Sequence, residues 1–439
     1  MNYKHIFIVV GLTSLLSCSG NLGGRIDQHA DVPVPSSVSV KSVYSVRGGA
    51  VIKVNIPDDP NLKGVVAEYE RGGELVTAKI SRYVDSLTVE GYADTQEHVA
   101  MLYSFNVNEE KSAPVEVRFT PLPPAIMTVT PTIMESFGGV KVHIQNNTAK
   151  ADLAVCILRC DDPSDYNKPI KDVKWVEVTT LFTASEDIFL SRRGIEPKEA
   201  IFGVYLRDHW GNLSDTTTAI LTPIVESKLD TVKYNGVRWY PFKDARLADD
   251  NCPALDGSHP ISALWDNSGL SQTPYYFASM PDCPSPSWLT IDLGHKTRLS
   301  RITTLPRIGY VIFGGGAVRD YEFWGSLAPT GKTRSPSPDN PYGFDESWFK
   351  LGSFIQAKPS GYLPNGLVGD YTPDDAQTFN AGNDFELDPV ENPRCNDELR
   401  YLRVVFVNTF TTFEYGHGTS NRQVQTGEVT PFGQPIFEE

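Results

Sequence analysis

Several features common in proteins of this size are missing from the 439-residue chain. After the first 18 residues, no apolar stretch approaches the roughly 18 residues that a membrane-crossing helix requires. Positive charge is scarce: 39 Lys and Arg face 54 Asp and Glu, a net charge of −15, which argues against a nucleic-acid partner on electrostatic grounds. There is no CxxC pair and no Cys/His spacing suited to zinc. HExxH, GxSxG and Cys/His nucleophile patterns are likewise missing, which removes the commonest hydrolase signatures. Adjacent acidic pairs exist at Asp249-Asp250 and Asp374-Asp375. They read as loop carboxylates pointing into water, not as a pair held across a cleft at the about 5–9 Å a glycosidase needs.

The beginning of the chain carries a strong local signal. Lys4 and His5 precede "IFIVVGLTSLL", an apolar run of signal-peptide length, which closes on Ser17-Cys18. This resembles the bacterial lipobox, and the resemblance implies a lipidated Cys18 that ties the protein to a membrane; an ordinary secretory signal with an incidental cysteine is the alternative. Residues 1–18 are then signal peptide and lipobox, and 19–34, rich in Gly, Ser and Pro, a flexible tether. The remaining cysteines are Cys156, Cys160, Cys252, Cys283 and Cys395, an odd number. Cys156 and Cys160 lie too far apart in an extended strand to pair, at about 13 Å. Cys252 has Cys283 or Cys395 as possible partners, and mostly free, buried thiols are expected.

The first half repeats itself. "YSFNVNEEKSAPVEVRFTP" from Tyr103 and "YLRDHWGNLSDTTTAILTP" from Tyr205 place a Ser nine residues after the Tyr (Ser112, Ser214) and close on a Thr-Pro pair. Upstream, "GGAVIKVNI" from Gly48 and "GGVKVHIQN" from Gly138 each open an alternating strand. Two copies of one β-sandwich account for these matches. They resemble fibronectin type III-like modules, whose closing hairpin has a D-x-x-G-N-x-S turn; Asp208, Gly211, Asn212 and Ser214 match it, while the first copy keeps only its Ser. The copies occupy residues 35–122 and 123–226. His209 and Trp210 in the turn read as solvated.

From residue 227 to 439 the texture changes to short strands, long polar loops and frequent tryptophans. In "PSWLTIDLG" Leu289, Ile291 and Leu293 alternate with polar residues, as in a strand with one buried face. "RDYEFWGS" puts Tyr321 and Phe323 on one face, and "LRYLRVVFVNTF" suits a central strand covered on both sides. "SPSPDNPYGFDESW" and the polar run from Lys358 to Pro389 read as insertions outside the core. In order, "LWDNSG", "PSWLTIDLG", "SRITTLPR", "GAVRDYEFWGS", "LRYLRVVFVN" and "TGEVTPFG" resemble the discoidin, or coagulation factor V/VIII C-type, fold, which also houses the family 32 carbohydrate-binding modules. The likeness is greatest to discoidin-like lipoproteins of Bacteroides-type bacteria that follow fibronectin-like domains beside starch-utilisation-type uptake systems. The expected class is therefore all-β: two Ig/fibronectin-like sandwiches, then a galactose-binding-like jelly roll.

The resemblance implies a ligand site in end loops. Aromatic faces that stack on pyranose rings and planar groups that pair with hydroxyls make Arg307, Tyr310, Phe313, Arg319, Tyr275, Tyr276, His417 and Asn421 the candidate glycan contacts, with Tyr415 and Arg422 nearby. It also implies a structural calcium on Asp266 and Glu428, although Asn267 stands where relatives have Gly. The expected function is glycan capture by a lipid-anchored outer-membrane protein at the cell surface, with the periplasmic face left open. Partners would be an oligo- or polysaccharide and proteins of an uptake complex. A non-catalytic accessory or adhesion protein that binds protein is the alternative, and a glycoside hydrolase a distant third.

Overall fold

The computed structural model describes residues 32–437, apart from 232, 235, 237, 268–275, 308–311 and 363–369. Cys18, Tyr275 and Tyr310 lie outside the described residues. No helix among those described is long and apolar enough to cross a membrane. The chain forms two compact units. The first runs to Ile133 and includes Val142–Leu190 and Ile201–Ala219; the second takes Met134–Lys141, Ser191–Ala200 and Ile220 onward.

The expected duplication is visible in strand order. Strands β1 (Ser39–Val46), β2 (Gly49–Asn55) and β5 (Ser86–Glu90) form one sheet, ordered β1-β2-β5. Strands β3 (Gly64–Arg71), β4 (Glu74–Ser81), β6 (His98–Phe105) and β7 (Val115–Phe119) form another, ordered β4-β3-β6-β7. A short helix, α1 (Ala125–Thr128), follows. Then β8 (Thr132–Ser136), β9 (Gly139–Ile144), β10 (Leu153–Cys160), β11 (Val176–Thr183), β12 (Ile188–Arg193), β13 (Ala200–Arg207) and β14 (Thr217–Leu221) repeat the scheme as β8-β9-β12 and β11-β10-β13-β14. Adding seven to every label of the first set gives the second. In the first set Ile52, Val54, Leu87 and Val89 of one sheet share a core with Val65, Ala67, Leu102 and Val117 of the other.

The repeated residues do the same work in each copy. Ser112 Oγ accepts from Ser104 N at 3.0 Å, and Ser214 Oγ accepts from Leu206 N at 2.8 Å. In the turns, Asp208 Oδ1 accepts from the backbone N–H of Trp210 and Asn212, and Asn106 Oδ1 accepts from those of Asn108 and Glu110. The first copy thus keeps the turn's geometry with Asn in place of Asp, because either side-chain oxygen caps the same two N–H groups.

The second unit is built on one nine-stranded sheet ordered β15-β25-β20-β24-β21-β22, with three short strands paired alongside. Its strands are β15 (Ser227–Lys228), β18 (Lys243–Asp244), β19 (Phe277–Ala278), β20 (Ser287–Pro306), β21 (Val318–Ser326), β22 (Phe349–Ile355), β23 (Asn383–Glu386), β24 (Glu398–Thr409) and β25 (Gln425–Ile436); β16 (Lys233–Tyr234) and β17 (Arg238–Trp239) pair separately. Strand β20 spans 20 residues. Its first part, Ser287–Asp292, pairs with β24, which follows it to Thr297 and Arg298 after an irregularity, and its second, from Lys296 to Pro306, pairs with β25. Between them Gly294 adopts φ +76°, and a Cβ there would come within 3.0 Å of the Tyr240 carbonyl oxygen. Only glycine fits that bend, which lets the sheet fold over on itself. The two ends then meet across one core: Tyr321 Oη of β21 lies 3.4 Å from Thr426 Oγ1 of β25, and the rings of Phe277 and Phe406 stack. Leu289, Ile291 and Leu293 point into this core, as expected, with Tyr321, Phe323, Leu402, Val404 and Phe406.

The outer face of β24 corrects two expectations. The segment "SPSPDNPYGFDESW" is core-forming: Phe344 and Trp348 are buried with Trp324 and Val405, and Trp288 packs against them. Its aromatics are too widely spaced to show periodicity, yet they cover the second face of a strand that needs covering. Beneath them lies Arg403, fully buried, its guanidinium 4.4 Å from the Phe344 ring and 4.2 Å from that of Trp348. It donates to both carboxylate oxygens of Asp249 at 2.8 Å and to Asp250 at 3.3 Å. Asp249 and Asp250 are therefore an internal counter-charge and not solvated loop carboxylates. Burial pushes the Asp250 carboxyl upward, opposed by its bonds from Thr290 and Arg403. Asp375 is also buried, and caps α2 (Pro373–Ala381) by accepting from Thr372 and Ser360, while Asp374 stays exposed.

Replacing Arg403 by Met strands the buried carboxylate of Asp249. The second unit is expected to lose about 3–5 kcal/mol, read as a lower urea midpoint at unchanged slope. Adding Asp249→Asn and Asp250→Asn should restore part of the loss.

Candidate functional site

The bend in β20 and the antiparallel return of β25 bring three connecting segments to one end of the second unit. They are the segment after β20, the chain from Tyr276 to Ser285, and the loop around α3 (Phe410–Tyr415). Arg307 leaves β20 beside the start of β25. Its Nη1 donates to Gln425 Oε1 at 2.9 Å, and its guanidinium lies 4.2 Å from the ring of Tyr276. Tyr276 is only 5% exposed, with His259 edge-on at 4.7 Å. This pair anchors one loop to another, and Tyr276 presents no open face.

Phe313 departs further from expectation. It is 2% exposed, and its ring meets Phe379 at 4.9 Å and Phe410 at 5.5 Å. Packing from α2 and α3 has turned an expected contact residue into a small satellite core. The backbone there is strained, with φ +48° at Phe313. Arg422 is also structural: it donates to the carbonyl oxygens of Cys283 and Asp282. His417 is exposed, with Nδ1 2.7 Å from Ser285 Oγ, and Asn421 is exposed too.

Arg319 is the candidate that gathers a site around itself. Its guanidinium lies against two rings, 4.4 Å from the centre of Tyr362 and 3.7 Å from that of Phe413. It pairs with Asp320, which also accepts from Asn408 Nδ2 at 2.6 Å. Arg319 Nε and Tyr362 Oη are both buried and have no hydrogen-bond partner among the described residues. Burial pushes the Tyr362 hydroxyl up to about 12. Phe413, in contrast, is 49% exposed, and Tyr415 beyond it is 65% exposed. A hydrogen bond to Glu414 raises the Tyr415 pKa. Phe413 and Tyr362 escaped the sequence reading, although Phe413 stands two residues before Tyr415 in the stretch "FEYGHGTSNR". The signal for Tyr362 was weaker, a lone aromatic in the polar run after β22.

The residues expected to hold calcium sit elsewhere. Asp266 ends a 3-10 turn (Ile261–Trp265) and is exposed, while Glu428 on β25 lines a cavity of about 490 Å3 that Lys228 also borders. Asn267, at φ +59°, accepts from the Lys228 ammonium and donates to Asp230 Oδ2 at 2.6 Å; Lys228 lies 3.6 Å from that same carboxylate oxygen. The Lys228 ammonium thus supplies positive charge beside the Asn267 and Asp230 oxygens. Among the described residues no group of three or more His, Cys, Asp or Glu side chains converges as a metal site.

Three family models, each of a domain of unknown function, match successive parts of the chain: DUF4959 at residues 35–121, DUF5126 at 122–232 and DUF5000 at 265–433. No curated protein matches it. Among solved structures the chain is similar to SusE-like protein BT2857, at 24% identity over 71% of this chain and 100% of that one, with a TM-score of 0.39. It is also similar to the C-terminal domain of a chitobiase from Bacteroides fragilis, at 14% identity over 45% of this chain and 95% of that one (TM-score 0.27). A third is the family 32 carbohydrate-binding module of NanJ from Clostridium perfringens, solved with galactose, at 12% identity over 41% of this chain and 88% of that one (TM-score 0.24).

Millimolar calcium is expected to leave the melting temperature of the purified protein unchanged, since Lys228 already serves the loop. A rise of several degrees would return Asp266 and Glu428 to the role of calcium ligands.

Proposed function

We propose that the protein is a non-catalytic glycan-binding protein of the bacterial cell envelope, which captures an oligo- or polysaccharide through the end loops of its C-terminal sandwich. The observation that carries this reading is the stack of Arg319 on Phe413. It places a fixed guanidinium behind a half-exposed aromatic ring, with the exposed Tyr415 two residues on. A pyranose offers an apolar C–H face to such rings and hydroxyls to planar donors around them. Arg319 is held between two rings and an aspartate, so little side-chain entropy remains to be lost on binding. Acid–base chemistry has less support, because Asp249, Asp250 and Asp375 are committed to Arg403 and to a helix cap. The two repeated sandwiches act as spacers, Cys18 carries a lipid anchor at the outer membrane, and the captured glycan passes to an uptake complex.

Two measurements test this. A glycan array probed with the soluble fragment lacking residues 1–18 is expected to give a hit that Phe413→Ala, Tyr415→Ala and Arg319→Met each weaken by tenfold or more, with folding intact by circular dichroism. No hit from folded protein would favour the reading as an accessory subunit that contacts protein. For the anchor, metabolic labelling with a fatty-acid analogue is expected to mark the full chain and to be abolished by Cys18→Ala.

A further inference from the structure

Three of the five described cysteines have no sulfur nearby. Cys156 Sγ lies 3.5 Å from Thr180 Oγ1, Cys160 Sγ 3.6 Å from an Asp165 oxygen, and Cys395 Sγ 3.6 Å from Asn396 Oδ1. Burial pushes the Cys395 thiol up to about 11. Cys252 and Cys283 differ: their sulfurs lie 3.6 Å apart although the residues are 31 positions apart in sequence.

Both backbones are pinned where they stand. The Cys252 N–H donates to the Trp288 carbonyl at 3.1 Å, beside Asn251, whose Oδ1 accepts from Trp288 N at 2.7 Å. The Cys283 N–H closes a turn on Met280 O at 3.1 Å, and its carbonyl accepts from Arg422 Nε at 2.9 Å. The two sulfurs therefore face each other from fixed supports, 3% and 2% exposed. Closing the gap to a covalent S–S distance requires them to approach by about 1.5 Å, within reach of side-chain rotation.

We propose that Cys252 and Cys283 are joined by a disulfide in the mature protein, closing a covalent loop around residues 253–282. The proposal rests on the envelope location above, where disulfides form and persist. The oxidant is a disulfide-bearing protein or small molecule. One protein thiolate attacks a sulfur of the oxidant, breaking its S–S bond and releasing one thiol; the second thiolate then attacks the mixed disulfide and releases the other. Two protein thiols lose two protons and two electrons, and one S–S bond of the oxidant becomes two thiols. Because both sulfurs are covered in the folded unit, the exchange belongs to folding.

The loop so closed carries Trp265, Asp266, Asn267 and Tyr276, which link the 3-10 turn, the Lys228 contact and the Arg307 stack. A bridge at its base would restrict the unfolded chain and hold these contacts in register. In the structure all five described cysteines are free, buried thiols, as expected; the proposed bridge would revise that expectation for Cys252 and Cys283 alone.

The test is alkylation of full-length protein, purified from its native cell envelope, with iodoacetamide in denaturant without reductant, followed by peptide mass spectrometry. The expected result is a Cys252–Cys283 linked peptide, 2 Da lighter than the sum of its thiol forms, with Cys156, Cys160 and Cys395 alkylated. Cys395→Ser should keep the linked peptide, and Cys252→Ser should leave Cys283 alkylated. Alkylation of both Cys252 and Cys283 in the envelope material overturns the proposal. Reduced purified protein equilibrated in a glutathione redox buffer then separates two causes. A bridge that forms there shows that the location has failed, and continued alkylation shows that the pairing itself is wrong.

Discussion

One strand serving two layers is the constraint from which the second unit is built. Because β20 pairs with β24 through its first part and with β25 through its second, its bend at Gly294 fixes how far apart the two ends of the sheet lie. That spacing leaves a core thick enough for Tyr321, Phe323, Phe385 and Phe406 to meet from several strands. It also fixes where the chain emerges. The exit of β20 at Arg307 stands beside the entry of β25 at Gln425, so the loops joined to those strands gather at one end. The loop cluster is a consequence of that closure: loops of very different sequence position become neighbours because the strands beneath them do.

Covering the outer face of β24 imposes a second constraint. A central strand covered on both sides places every residue of Arg403-Val404-Val405 out of water, and Arg403 is the one that carries a charge. Such a charge is tolerated only with a counter-charge and hydrogen bonds at hand. The chain provides them from Asp249, Asp250 and Thr290, with Phe344 and Trp348 as the two flat walls. The arrangement recurs at Arg319, where a guanidinium lies between Tyr362 and Phe413. The difference lies in exposure. One stack is sealed inside the fold, whereas the other leaves an aromatic face open to solvent.

Much of the fold was legible because it is written in alternation and repetition. Leu289, Ile291 and Leu293 announced an inward-facing strand, and the matched offsets of Ser112 and Ser214 announced a duplicated turn. What stayed hidden depends on contacts without local pattern. Phe344 and Trp348 sit in a polar stretch, and only the strand they cover explains them. Asp249 and Asp250 read as solvated because their partner, Arg403, lies more than a hundred residues away in the chain. Of the residues named as candidate contacts, Arg319 belongs to an aromatic cluster, whereas Phe313 and Tyr276 are packed away. A sequence lists aromatics in end loops without saying which of them another helix or arginine will cover. Asn106 makes the same point on a smaller scale, since its equivalence to Asp208 lies in which N–H groups it accepts and not in its identity.

The open stack at Arg319 also bears on the chemistry of recognition. An exposed aromatic ring alone attracts any apolar surface, including that of another protein. Arg319 adds a charge held by Asp320 against the Phe413 ring, so an apolar ring and a cation stand side by side. A ligand matched to such a surface needs a flat apolar patch bordered by acceptors of its own. A pyranose ring has that pattern on a single residue, with axial C–H groups on one face and hydroxyl oxygens around the rim. A protein partner would have to assemble it from separate side chains and bear the entropy of ordering each of them.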